Sequence, residues 1–111
     1  MNHYRIFTTK EFDSDFESLD NSEKIRVKKI LKQLKEKGMD VGKPLSGLLF
    51  FREKRFNGKR LYFLSYKEFY VILAIAISDK KAQQATINRI LLDLVEYQKY
   101  VYETLKKDGI I

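Results

Sequence analysis

The chain has 111 residues, 44% of them hydrophobic and 33% charged, enough to bury a core without staples, and it reads as one globular domain spanning 1–111. It has no cysteine, which excludes disulfides, thiolate catalysis and cysteine-based zinc sites. The net charge of +7 is concentrated: residues 1–23 carry two Lys/Arg against six Asp/Glu, and residues 24–60 carry thirteen against three. Such a patch suits nucleic acid, acidic lipid or an acidic protein, and composition does not choose among them.

The first ten residues contain no apolar run of signal-peptide length, and the longest apolar run, Phe69 to Ile77, is too short to span a bilayer. A cytoplasmic protein without a membrane partner is expected. Tyr4 to Thr8 alternates and favours a first strand. Thr8 or Thr9 can cap a short helix in which Phe12, Phe16 and Leu19 share a face. Asp20-Asn21-Ser22 breaks it, and Ser22 or Asn21 can cap the next helix, from about Glu23 to Lys37. Val27, Ile30, Leu31 and Leu34 form the apolar stripe of that helix. Lys24, Lys28, Lys32 and Lys35 read most simply as its solvated face, and Gly38 ends it.

Gly42-Lys43-Pro44 and Ser46-Gly47 read as loop. Phe50 to Phe56 then alternates, with Phe50, Arg52, Lys54 and Phe56 on one face and Phe51, Glu53 and Arg55 on the other. Asn57-Gly58 is a strong hairpin signal, and Arg60 to Tyr66 is the returning strand. Lys67-Glu68 turns the chain into a third strand of this set, Phe69 to Ser78. Its unbroken apolar run places it centrally, covered on both faces. One long helix from about Ala82 to Lys107 follows, with Ile87, Ile90, Leu91, Leu94, Gln98, Val101 and Leu105 at helical spacing. Its second half, with Tyr97, Tyr100 and Tyr102, either covers the domain's own edge or meets a partner. The resulting β-α-α-β-β-β-α order is an α+β layer, a helical hairpin and a long C-terminal helix packed on a small, mostly antiparallel sheet.

Three motifs in this order resemble the RelE/ParE toxin superfamily. They are Lys-Pro-Leu-x-Gly (Lys43 to Gly47), Arg-Phe-x-Gly-x-Arg (Arg55 to Arg60) continuing into Leu61-Tyr62-Phe63, and Lys-Lys-x-Gln-x (Lys80 to Gln84). The last two are most similar to the HigB branch. The resemblance covers roughly residues 4 to 100. It implies a toxin of a type II toxin–antitoxin pair, with a cognate antitoxin that wraps the toxin. It also implies metal-free and cofactor-free cleavage of mRNA in the ribosomal A site, as in the RelE and HigB branches. The ParE branch instead inhibits DNA gyrase. A homodimer through the C-terminal helix is a further expectation.

Metal-free RNA cleavage needs a base for the 2′-OH, neutralisation of the transition-state phosphate, a proton for the leaving 5′-oxygen, and an in-line hold. Cations crowded on paired strands can supply neutralisation and hold, and a crowded lysine can act as a base. Carried over by position, the resemblance implies Lys54 as base, Arg60 and Arg52 as phosphate clamps, and Lys81 as charge stabiliser or acid. Arg55, Lys59, Lys80, Gln84 and Tyr62 are the expected RNA contacts; Tyr62 and Tyr66 share a strand face with Arg60, so one of them can stack on a base. Many ribonuclease members carry a tyrosine or a histidine–tyrosine pair just after the last strand. Here Ala82 to Ile87 has neither, so gyrase inhibition and silent RNA or ribosome binding stay open. No metal is expected, since Asp13, Asp15 and Glu17 lack ligand spacing. The single histidine, His3, lies near the terminus.

Overall fold

The computed structural model describes residues 3–111. Strand β1 (Arg5–Thr8) leads into helices α1 (Lys10–Glu17) and α2 (Asn21–Lys37), and a 3₁₀ turn spans Gly38–Asp40. Strands β2 (Lys43–Leu45), β3 (Leu48–Phe56), β4 (Lys59–Tyr66) and β5 (Val71–Asp79) follow, with a 3₁₀ turn over Lys67–Phe69 before β5. Helices α3 (Gln83–Leu92) and α4 (Leu94–Lys107) complete the chain. The strands make one sheet in the order β1-β5-β4-β3-β2, in which only the β1–β5 pair is parallel.

Side chains alternate across this sheet and feed two apolar layers. One face carries Phe51, Tyr62, Leu64, Leu73 and Ile75 against Ile87, Ile90, Val101 and Leu105 of α3 and α4. The other carries Phe56, Leu61, Phe63, Ile72 and Ala74 against Phe12, Val27, Ile30 and Leu34 of α1 and α2. Each fully buried Leu, Ile or Phe contributes about 1.5–3 kcal/mol of burial free energy, so both layers hold the sheet rigid. As expected from its apolar run, β5 is interior, with Val71 to Ala76 buried.

Local polar contacts seat the helices. The Thr9 hydroxyl accepts from Phe12 N–H at 3.0 Å and donates to the Ile75 carbonyl at 2.6 Å, so one side chain caps α1 and ties it to β5. Asp15 accepts from Ile77 N–H at 2.9 Å, a second tie. The cap of α2 is Asp20 rather than Ser22 or Asn21: it accepts from Glu23 N–H at 2.8 Å while the Glu23 side chain accepts from Asp20 N–H at 3.1 Å, a capping box.

The bond from Glu23 N–H, with a second from the Ser22 hydroxyl, holds the Asp20 carboxyl below the usual carboxylate range. Native Asp20 therefore binds a proton less readily than the unfolded chain does. Its contribution is complete above the ordinary carboxylate pKa and is lost as pH falls through the depressed native value. Asp20→Asn keeps a cap acceptor. It is expected to flatten the loss of stability below about pH 4, measured as thermal midpoint against pH by circular dichroism.

Three departures from the sequence expectation have a physical cause in the structure. Lys43 to Leu45 is an edge strand, not loop, paired antiparallel to β3 with Lys43 opposite Glu53 and Pro44 opposite Arg52. Proline is tolerated there because an edge strand leaves one side of its backbone unpaired. Ser46 and Gly47 both take positive φ, 53° and 71°, in a tight two-residue hairpin turn. The last strand begins at Val71 instead of Phe69, because Tyr70 sits in the left-handed region after the 3₁₀ turn. The expected single C-terminal helix is broken at Asp93, which leaves helical geometry at φ −108° and ψ 15°. Aspartate is a weak helix former, and the apolar phase continues across the break, so Ile90 and Val101 still reach the same layer.

Candidate nucleic-acid interface

The β3–β4 hairpin builds the site. Asn57 and Gly58 both have positive φ, 47° and 74°, and the resulting turn sets Arg55 directly opposite Arg60 and Phe56 opposite Lys59. Residues paired across two strands point to the same face. Arg60, Tyr62, Glu53 and Arg55 therefore share the face covered by α3 and α4. Arg52 pairs with Phe63 and Lys54 with Leu61, which puts both on the opposite face, the one covered by α1 and α2.

A depression of about 430 Å³ opens at the hairpin tip, and its cations are Arg26, Arg55, Lys59, Arg60 and Lys80. They come from α2, from both hairpin strands and from the residue after β5. Arg60 lies deepest, only 6% exposed. Its Nη1 donates to the Gly58 carbonyl at 3.3 Å, its Nε is buried with no partner, and no carboxylate lies within ion-pair distance among the described residues. Lys59, by contrast, pairs with Glu23 at 3.2 Å. A buried guanidinium with an unused donor and no counter-ion is costly unless an anion completes it. Guanidinium matches the planar, bidentate geometry of phosphate.

Behind Arg55 stands Glu53, 1% exposed. Its carboxylate accepts from Arg55 Nε at 3.2 Å and from Gln83 Nε2 at 3.1 Å, and it lies 3.7 Å from Lys43 Nζ. Tyr62 is fully buried, with its hydroxyl 2.7 Å from that of Ser78. Burial is the main cause that pushes its phenol above the ordinary value, opposed by the Ser78 bond and reinforced by the Glu53 charge.

These placements regroup the residues expected from sequence. Arg55, Lys59, Arg60 and Lys80 come together in one depression. Lys54, expected as a base beside Arg60, is half-buried on the other face because its strand position differs from Arg55 by one. Arg52, expected as a clamp, gives its guanidinium to three backbone carbonyls: Val41 at 3.1 Å, Leu49 at 3.3 Å and Gly42 at 3.0 Å. Tyr62 is sealed in the core and offers no ring for stacking. Lys81 is exposed and lines none of the depression. Gln84 turns to solvent and donates to Asn88 at 2.9 Å, while its neighbour Gln83 faces inward.

Sequence reasoning did not single out Arg26, Glu53 or Gln83. Two signals were present: Glu53 is the only acid between Val41 and Lys67, and Gln83 is in helical phase with the core residues Ile87 and Ile90. Arg26 had none, since it is one of several cations on α2. Among the described residues no group of three or more acidic or histidine side chains is arranged to hold a metal ion, and no helix is long and apolar enough to cross a membrane.

No family model matches the sequence, and no curated protein matches it. Solved structures do. The E. coli toxin RelE, as a doubly substituted mutant in its free state, superposes with a TM-score of 0.63 at 16% identity, over 79% of this chain and 98% of that one. The chain has the RelE toxin fold. The intact E. coli RelBE toxin–antitoxin complex matches with a TM-score of 0.61 at 19% identity, over 68% of this chain and 95% of its counterpart. A RelB–RelE antitoxin–toxin complex from Methanococcus jannaschii gives 0.59 at 13% identity, over 72% and 96%. The RelE fold thus accounts for nearly the whole of each neighbour.

Proposed function

We propose that this chain is the toxin of a type II toxin–antitoxin pair and acts on RNA, seating a backbone phosphate on Arg60. The observation that carries this reading is the buried, unpaired Arg60 guanidinium at the floor of a cationic depression. The RelE fold, and the antitoxin seen with two of its neighbours, support the toxin half of the reading and an antitoxin partner. In the reaction that the sequence resemblance implies, mRNA is cut on the ribosome by transesterification. Arg60 then holds the scissile phosphate, and Arg55 and Lys80 neutralise charge developing on its oxygens. Arg52 and Lys54 stand outside this set.

A second reading, gyrase inhibition of the ParE kind, is favoured by one feature. The acidic groups on the face of Arg60 are already engaged: Glu53 by three cationic or amide donors and Tyr62 by Ser78.

Purified protein added to a translating extract, with mRNA ends mapped by primer extension, separates the two. New ends within codons are expected only with ribosomes present. Arg60→Met is expected to reduce them by about 100-fold or more, the loss typical of removing one preorganised charge stabiliser. Lys54→Ala is expected to leave them within about twofold, since a cation on the opposite face reaches the site only through screened, long-range attraction. Equal loss with Lys54→Ala would move the site to the other face. Intact mRNA together with relaxed plasmid DNA in treated cells would favour the gyrase reading.

A further inference from the structure

Glu53 is an acid set wholly inside a basic site. Its side chain is 0% exposed, whereas those of Arg55 and Lys43 are 59% and 57% exposed. Arg55 engages it through Nε alone. The terminal nitrogens of that guanidinium make no hydrogen bond to any described residue, and Arg55 lines the depression beside Arg60. The other carboxylate oxygen holds Gln83, in the first turn of α3.

Arg55 and Arg60 are directly opposed across the hairpin. Like charges in that position repel, and a long arginine side chain has ample rotameric freedom to leave. Glu53 lies two residues before Arg55 on the same strand face, so it is the group able to oppose both tendencies.

We propose that Glu53 is a positioning residue for the phosphate site. It anchors Arg55 by its inner nitrogen and presents the outer two to a phosphate already seated on Arg60. Through Gln83 it also fixes the start of α3 against β3. The proposal rests on the RNA-phosphate reading above and adds to it the residue that makes Arg55 a fixed second clamp rather than a mobile surface charge.

The sign of the effect is diagnostic. Replacing Glu53 by neutral glutamine raises the net charge of the protein by one, so electrostatics alone predicts tighter RNA binding. If Glu53 acts by positioning, binding weakens instead, because the phosphate must then order Arg55 itself. Ordering one rotamer-rich side chain costs about two- to tenfold in affinity.

The test is fluorescence anisotropy with a 2′-O-methylated single-stranded RNA, which binds but cannot be cleaved through its 2′-oxygen. Affinities are compared for the unmutated protein, Glu53→Gln, Arg55→Ala and the double variant. A two- to tenfold loss is expected for Glu53→Gln, with no further loss when it is added to Arg55→Ala. The Arg55 Nε–H resonance is expected to lose its carboxylate-bonded shift in Glu53→Gln. Should Glu53→Gln fail to fold, Arg55→Lys carries the test. One ammonium cannot both fill the Glu53 contact and present two outer nitrogens, so the same loss is expected with Glu53 intact.

Equal or tighter binding by Glu53→Gln, or by Arg55→Lys where that variant stands in, would overturn the positioning role and leave the RNA reading standing. An undiminished loss in the Arg55→Ala background would show that Glu53 acts on the fold at large, which also overturns it. No RNA binding by the unmutated protein would remove the phosphate reading, and the proposal with it.

Discussion

Arg60→Met is expected to melt at a higher temperature than the unmutated protein and to bind RNA at least tenfold more weakly. The two effects have one cause. Arg60 is only 6% exposed, its Nε has no partner, and among the described residues no carboxylate lies within ion-pair distance of it. An unsatisfied buried donor costs about 1–3 kcal/mol. Methionine keeps much of the side-chain length, removes both the unused donor and the charge, and its own flexible chain can repack in the space left. A gain of about 1 kcal/mol corresponds to roughly 3–6 °C for a chain of this size, which differential scanning calorimetry resolves. The binding loss follows because the same guanidinium is the deepest cation in the depression. It should come with a shallower salt dependence, by about 0.7 in the slope of log affinity against log salt for one lost phosphate contact. A variant that loses stability together with binding would mean that Arg60 is a structural residue whose charge the fold already satisfies.

Gly42→Ala is expected to be the most damaging single methyl addition among the glycines near the site, lowering stability by about 2–4 kcal/mol. Gly42 has φ +73°, and a Cβ there would overlap the backbone oxygen of Glu53. No side-chain rotation relieves a clash with backbone. The Val41–Gly42 segment must move off β3, and two of the three carbonyls that hold the Arg52 guanidinium move with it. Gly47→Ala is the control: its φ of +71° carries the conformational penalty, but a Cβ there meets nothing within 4 Å. It should cost only about 1–2 kcal/mol. Urea unfolding of both variants at matched slope measures the difference. Equal losses would show that the approach of Gly42 to Glu53 is looser than its geometry implies. The same pair bears on the site, because displacing Glu53 should loosen Arg55, whereas Gly47→Ala should leave RNA binding unchanged.

Much of this fold was legible residue by residue. The alternation of Phe50 to Phe56, the Asn57-Gly58 turn and the apolar run of β5 are local patterns, and local patterns record which side chains a strand must hide. The helical stripe Val27, Ile30 and Leu34 is of the same kind. The boundaries that differed are places where a local rule met a longer-range one. Pro44 reads as loop until an edge strand is available to accept it. Tyr70 reads as strand until the 3₁₀ turn before it forces a left-handed residue. Asp93 interrupts a periodicity that otherwise runs unbroken from Ile87 to Leu105.

The candidate site divides the same way. By itself the sequence determined that the cations gather near one hairpin, that Arg60 sits on its return strand, and that thiolate chemistry is excluded, because composition and turn propensity are properties of the chain alone. Which cations meet was decided only by the tertiary structure. The period of two that parts Lys54 from Arg55 is already legible along β3, but it is the pairing register that gives Arg55, not Lys54, to Arg60. Burial decided the rest: it sealed Tyr62 under α3 and α4, left Arg60 without a counter-ion, and enclosed Glu53 among donors drawn from β2, β3 and α3. Charge and spacing are written along the chain, but desolvation depends on what the folded chain brings from elsewhere to cover a residue, and it is desolvation that sets Arg60 apart from a surface arginine.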